Sequence, residues 1–230
     1  MGNVNRGLLA VGSDRSPSRA REDYVKAIYQ LGAGGPVRAA ALARYLNVSR
    51  VSVSKAKRLL EADGLLDRER EPSQPLRLSR RGRRLAIAMV RRHRLLETFF
   101  HRVLRIPLER VHAEAERIEH VISDDVAMRI ATLLGRPQRD PHGHPIPYDD
   151  DLRTEKPLPT LAALRAGDRA NVISLDDRDD AAVAVLADGG LLPGARIVVQ
   201  RSDASCVVVR RGKRVVTLRR AHAAMVRIGA

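Results

Sequence analysis

Residues 112–120 read His-Ala-Glu-Ala-Glu-Arg-Ile-Glu-His. On a helix, His112, Glu116, Glu119 and His120 stand at i, i+4, i+7 and i+8, which is a single face. His93 and Glu97 repeat the i, i+4 spacing about one helix length upstream. Imidazole and carboxylate donors together suit a borderline-to-hard divalent cation with about six ligands. No cysteine is among them, so a thiolate zinc site is excluded. The plain alternative pairs Glu97, Glu116 and Glu119 with nearby arginines such as Arg94 and Arg117 on wet faces, at ~0.5 kcal/mol each. Four groups on one face fit that poorly. A di-iron carboxylate enzyme would need Glu-x-x-His on two helices. Here Arg117 stands three residues before His120, and the pair Glu109/His112 starts off the shared face. The chain is therefore read as a binding protein and not an enzyme.

The elements that must hold these groups follow from the rest of the chain. Tyr24, Val25, Ile28, Tyr29 and Leu31 form a helical stripe from Ser18 to Leu31, closed by Gly32 to Pro36, and Asp23 lies on that helix. Val37 to Val48 reads as a second helix with Ala40, Leu42, Ala43, Leu46 and Val48 inward. After the break at 47–49 comes a third, Arg50 to Ala62, with Val51, Val53, Ala56, Leu59 and Leu60 packing. This is helix-turn-helix spacing. Ser49, Arg50, Ser52, Ser54, Lys55, Lys57 and Arg58 would face solvent. Short serines let such a helix enter a major groove, and Arg or Lys bind phosphate or guanine edges. Residues 66–69 and 76–78 flank a polar tip, giving a wing from which Arg68, Arg70 and Arg77 could reach phosphates. The first domain is thus a winged helix-turn-helix over 18–84.

Over 85–148 a long helix from Ser79 to about Leu104, a second from Leu108 to about Val121, and a third capped by Ser123 are too apolar for one subunit. They are expected to pair with a second copy. Residues 149–157 form a linker within a Pro-rich stretch that begins at Arg136. His142 and His144 in it are read as exposed loop histidines without a metal role. From 158 to 230 the pattern turns to period two. Strands 170–173, 196–200, 206–210 and 214–218 and a helix 181–187 suggest a five-stranded barrel. The fold class is mostly α with a small β domain: N-terminal winged helix-turn-helix, helical dimerisation domain, C-terminal SH3-like barrel.

Charge follows the same division. Residues 1–105 carry 23 basic and 9 acidic side chains, a net +14, whereas 106–180 are net −6 and 181–230 net +7. A polyanion at one end and a cation in the middle are implied. The one cysteine, Cys206, excludes an internal disulfide. No apolar run approaches the ~18 residues of a membrane span. Residues 1–17 read as a disordered tail, and a cytoplasmic location without membrane contact is expected.

Three segments in this order resemble one family. They are Val90-Arg91-Arg92-His93-Arg94-Leu95-Leu96-Glu97; Val111-His112 followed by Glu116, Glu119-His120 and Ser123-Asp124; and Asp140-Pro141-His142-Gly143 followed by Pro145-Ile146-Pro147. Together they resemble the diphtheria toxin repressor family of metal-dependent transcriptional repressors, and the last domain resembles its SH3-like (FeoA-like) module. The resemblance implies a homodimer that binds palindromic operator DNA when Fe(II) or Mn(II) is present and controls metal-uptake genes. It places an activating site on Asp23, Glu116, Glu119 and His120. An ancillary site falls on His93, Glu97 and His112, with a barrel contribution near Asp176 to Asp179, taken as Asp177. Iron-responsive members carry methionine and cysteine where this chain has Asp23 and Glu116. The carboxylates suit Mn(II) rather than softer ions, with Fe(II) the alternative and a metal-independent winged-helix regulator the second. Short manganese-type members have glutamate where Lys26 stands, and they lack the barrel. Without metal, Asp23, Glu116 and Glu119 are expected to repel one another and hold the first helix off the central ones.

Overall fold

The computed structural model describes residues 18–68, 74–149 and 157–229 of the 230. Its N-terminal domain packs α1 (Arg19–Gly32), α2 (Ala39–Tyr45) and α3 (Arg50–Ala62) around Val25, Ile28, Leu42, Val53, Leu60 and Leu65. Asn47, in the left-handed region at φ 51°, makes the turn between α2 and α3. The Ser49 hydroxyl then caps α3 by accepting from the Ser52 amide at 3.0 Å. α2 is shorter than the predicted 37–48. Val37 instead pairs with Leu76 in a β-bridge, and a second bridge joins Leu66 to Leu78. Val37 thus adds a third short segment to the wing, its backbone bonding sideways. Val51 and Leu59, expected to pack, are exposed on α3, and Val48 is exposed before it. A helix entering a groove shows apolar as well as polar side chains to its partner.

α4 (Arg80–Arg102) is capped by Ser79, whose hydroxyl accepts from the Gly82 amide at 3.0 Å. It runs unbroken through residue 84, so the DNA-binding and helical domains share one helix. Gly82 is required there, because a Cβ would stand 2.0 Å from the Leu65 carbonyl oxygen. α5 (Leu108–Ile118) and α6 (Asp124–Leu133) pack on α4 through Leu95, Leu96, Phe100, Val111, Ala115, Ala127 and Ala131. α5 stops earlier than expected: Glu119 is its C-cap and His120 lies in the following turn. Arg92 of α4 donates to the Glu119 and Ile122 carbonyls at 3.2 and 3.3 Å, satisfying acceptors that a helix end leaves open.

The stretch after α6 is packed rather than linker-like as far as Pro147. Arg139 bridges to Pro145, and Asp140, His142 and Ile146 are buried. Beyond it come a one-turn 3-10 segment, then β1 (Arg169–Leu175), α7 (Asp180–Asp188), β2 (Arg196–Ser202), β3 (Cys206–Arg211), β4 (Arg214–Arg219), α8 (Arg220–Ala224) and β5 (Val226–Gly229). The five strands form one antiparallel sheet in the order β4-β3-β2-β1-β5, with irregularities at Val172/Ser174 and Val199/Arg201. Its alternating inward side chains enclose a separate core of Val172, Leu175, Ile197, Val199, Val207, Val209 and Leu218. The Leu175 amide donates to the His142 carbonyl at 2.9 Å, fixing the loop before the barrel to β1.

Candidate metal centre and DNA-facing surface

α1 crosses α4 and brings its acidic first turn onto the end of α5. There Asp23 Oδ1 lies 3.0 Å from His120 Nε2, and Glu119 Oε1 lies 3.5 Å from the same nitrogen. Asp23, Glu119 and His120 form a group whose donor atoms lie within 4.8 Å of one another. Glu22, which the spacing did not single out, holds the other side of the ring: its Oε2 is 2.7 Å from His120 Nδ1. A carboxylate only accepts, so that hydrogen is on Nδ1, and Nε2 faces the two carboxylates. Burial, reinforced by Glu116 and Glu119 against the pull of His120, raises the Asp23 carboxyl above its ordinary range. Glu116 enters this neighbourhood through a fourth group, Lys26. The Lys26 ammonium lies 2.7 Å from Glu116 Oε1 and 2.8 Å from Glu119 Oε1. The expected mutual repulsion of bare carboxylates is therefore corrected, since Lys26 sits between two of the three. Burial opposes its charge, but Glu119 and Glu116 outweigh that and hold its pKa up.

The second cluster gathers on Glu97, which is completely buried in α4. Its Oε1 is 3.0 Å from His93 Nε2, 3.2 Å from His112 Nδ1 and 3.6 Å from His142 Nδ1. Asp177, on the loop after β1, places Oδ2 3.6 Å from His112 and 3.7 Å from His142. His93, Glu97, His112 and Asp177 form one close group, and Glu97, Asp140 and His142 another. His142 overturns the reading of an exposed loop histidine, because it is fully buried. Its Nε2 lies 3.2 Å from the Leu108 carbonyl oxygen, so the hydrogen is there and Nδ1 points at Glu97 and Asp177. His144 also joins, with Nδ1 3.4 Å from Asp140 and 3.6 Å from Asp177. The signal was the His-Gly-His spacing itself. Gly143 takes φ 93° with its Cα against the Ile173 carbonyl, and a loop needing that conformation is built and not loose.

Burial disfavours a charged His93, and Lys26 adds to that, yet Glu97 and Glu119 outweigh both and hold it at about 10. In the same way Glu97 outweighs burial to hold His142 at about 9. Glu119 is drawn down to about 2 against its own burial, by His93 first and then Lys26. His93 Nδ1 lies 2.6 Å from Glu119 Oε2, so the two clusters share one hydrogen bond. None of the glutamates takes the arginine partners weighed in the sequence: Arg117 pairs with Glu114, and Arg94 with Asp140 and the Pro145 carbonyl. Four of the six buried side-chain polar atoms without a hydrogen-bond partner, among the described residues, lie in these clusters: Glu97 Oε2, His120 Nε2, Asp140 Oδ2 and His142 Nδ1. Buried polar atoms are rarely left so. Oxygen and imidazole nitrogen donors converging without sulfur fit a divalent cation.

In the N-terminal domain, Ser49, Arg50, Ser52, Ser54, Lys55, Arg58 and, from the wing, Arg77 are all exposed. Arg70 lies outside the described residues. Among the described residues no helix is long and apolar enough to cross a membrane.

A winged helix-turn-helix joined through a shared helix to buried imidazole–carboxylate clusters defines a metal-dependent transcriptional regulator. Family descriptions agree segment by segment. Residues 18–72 match "Iron dependent repressor, N-terminal DNA binding domain", 79–148 match "Iron dependent repressor, metal binding and dimerisation domain", and 160–229 match "FeoA domain". The iron-dependent repressor IdeR of Mycobacterium leprae is 36% identical over 204 residues, 82% of this chain and 86% of the relative. The diphtheria toxin repressor of Corynebacterium efficiens is 31% identical over 203 residues, 83% of this chain and 87% of the relative. Among solved structures, a manganese-dependent transcriptional repressor in complex with manganese shares 35% identity at a TM-score of 0.80, covering 90% of this chain and 98% of its own. The chain belongs to the diphtheria toxin repressor family of divalent-metal-dependent transcriptional repressors, which are DNA-binding dimers and not enzymes.

Proposed function

We propose that this protein is a Mn(II)-activated repressor that binds palindromic operators as a homodimer in the cytoplasm and controls genes of metal uptake. The observation that carries the metal is the donor set. Both clusters offer carboxylate oxygen and imidazole nitrogen, with no cysteine sulfur in either group. Hard oxygen donors weaken the advantage that thiophilic ions enjoy and suit Mn(II). Asp23, Glu116, Glu119 and His120 hold the activating ion, with Glu22 orienting His120. His93, Glu97, His112 and Asp177 hold the ancillary ion, joined by Asp140 and His142. Bound there, the ion supplies positive charge that lets these carboxylates stay close.

The rest is the work of the side chains. Asp23 and Glu22 belong to α1 of the DNA-binding domain, whereas Glu119 and His120 end α5 of the helical domain. Bringing these groups to one point fixes the winged helix against the dimerising helices. In a two-fold dimer, that sets the separation of the two α3 helices at successive major grooves. Ser49 holds the first turn of α3 as its cap, Arg50, Ser52, Ser54 and Lys55 face the bases, and Arg58, Arg70 and Arg77 take phosphates. Coupling of this kind is typically ~1–3 kcal/mol. A second reading, an Fe(II) repressor, is favoured by the name of the Mycobacterium leprae relative, an iron-dependent repressor. Operator binding by chelator-stripped protein, titrated separately with Mn(II), Fe(II) and Zn(II), separates the readings. Greater activation by Fe(II) at equal free concentration overturns the manganese assignment, and binding unaffected by chelator overturns metal control.

A further inference from the structure

A third group of possible metal donors lies between the two described above: His93, Glu116 and Glu119, whose ligand atoms lie within 4.8 Å of one another. It already holds a cation. Lys26 reaches in from α1, one turn after Asp23, and is 5% exposed. Its Nζ stands 2.7 Å from Glu116 Oε1, 2.8 and 2.9 Å from the two oxygens of Glu119, and 3.2 Å from His93 Nδ1. Every member of the triad is within reach of that one nitrogen. An ammonium has three donors and no acceptor, so the two carboxylates can saturate it without any water. A buried lysine is ordinarily costly, and it persists only where paired charges compensate.

We propose that Lys26 is a tethered cation that occupies the His93–Glu116–Glu119 group in place of a divalent ion, and so limits the metal content of the centre. This rests on the reading of the flanking clusters as Mn(II) sites and deepens it. Two consequences follow from where Lys26 is anchored. First, the space between the activating and ancillary clusters is closed to an additional ion, and the carboxylates of Glu116 and Glu119 are held pointing inward before any ion arrives. Second, Lys26 ties α1 to α5 without metal, so the DNA-binding domain is docked on one side already. Ion capture by Asp23 and His120 then has only the remaining freedom of α1 to remove.

The test counts Mn(II) ions bound per subunit by the chelator-stripped full chain, using calorimetry and metal analysis after gel filtration, for the unaltered protein, Lys26→Met and Lys26→Glu. Lys26→Met empties the triad and is expected to take one Mn(II) more than the parent. Lys26→Glu adds a fourth donor group, a third carboxylate, and is expected to take the same extra ion at least tenfold more tightly. In both variants the melting temperature without metal falls, and the rise on adding Mn(II) exceeds that of the parent. If neither variant, shown folded by circular dichroism, takes an additional ion, the proposal is wrong. Should Lys26→Glu fail to fold, the count for Lys26→Met alone decides. If the unaltered chain binds no Mn(II), the manganese reading fails, and a new ion appearing in either variant still supports the tethered cation.

Discussion

Glu97→Gln removes one charge from the centre of the ancillary cluster while keeping the shape of the side chain, and its cost should depend on pH. Glu97 and Glu119 together hold the buried His93 at about 10 against an ordinary value of 6.5. At 1.36 kcal/mol per pH unit that difference corresponds to ~5 kcal/mol. The two carboxylates also outweigh burial and Lys26, so half of that net figure, ~2–3 kcal/mol, is a lower bound for Glu97. His142, held at about 9 chiefly by Glu97 against its burial, adds in the same direction. For a chain of this size, ~2–3 kcal/mol is a fall of roughly 5–10 °C in melting temperature.

The sign follows from the histidines. A group whose folded pKa is raised contributes stability that is complete below its unfolded value and is lost as pH rises through the folded value. The gap between parent and Glu97→Gln should be full at pH 6 and should shrink from pH 6.5 upward. Near pH 10 it should vanish or reverse, because the parent then keeps a buried carboxylate whose imidazolium partners have gone. Scanning calorimetry of chelator-treated protein at pH 6, 8 and 10 measures this. Equal melting temperatures at pH 6, or a gap unchanged from pH 6 to 10, would refute the charge assignment.

Three further outcomes are expected. Glu22→Gln leaves His120 without the carboxylate that orients its ring, and calorimetric titration should show Mn(II) affinity at the activating site lower by roughly tenfold or more. Gly143→Ala places a Cβ 2.1 Å from the Ile173 carbonyl at a φ of 93°. The backbone term alone is ~1–3 kcal/mol, and thermal melting should show the loss together with weaker ancillary binding as His142 shifts. Leu133→Lys puts a charge on an apolar side chain that is 68% exposed in α6. In sedimentation experiments it should weaken dimerisation by roughly tenfold or more.

The architecture was legible in the sequence because its signals are local. Caps at Ser49, Ser79 and Ser123, the turn at 47–49 and the alternation of β2 to β4 each depend on neighbours within a few residues. The same locality explains what was lost. Val37 looks helical by its company, yet its partner is Leu76, thirty-nine residues away. Extending α5 to 121 put Glu119 and His120 on a regular face, whereas they occupy the C-cap and the turn beyond it. The ligand candidates of the central helices could be read from i, i+4 spacing. Glu22 and Lys26 could not be assigned, because their meaning comes from α5, some ninety residues on. His142 was misjudged for a different reason. A Pro/Gly-rich composition describes a segment without helix or strand, and says nothing of whether the barrel packs over it.

The group around His120 and the group completed by Asp177 are each assembled across a boundary between domains. Glu22, Asp23 and Lys26 come from the DNA-binding domain, Glu116, Glu119 and His120 from the end of α5, and Asp177 from the barrel. Arg178, the next residue, stacks its guanidinium 4.6 Å above the Tyr45 ring of α2, so the loop that reaches the ancillary cluster also touches the DNA-binding domain. A cluster within one domain could bind an ion without consequence for anything else. Here the Asp23–Glu119–His120 group and the His93–Glu97–His112–Asp177 group are each completed by a residue from a neighbouring domain, and bringing either set together requires the domains to be in register. The hydrogen bond from His93 to Glu119 extends this to the pair of clusters: one ring holds Glu97 through Nε2 and Glu119 through Nδ1, so neither contact can shift without the other. Under the proposed function, cation occupancy and domain arrangement are one equilibrium, with Lys26 as the cation already present and the divalent ion as the one that varies.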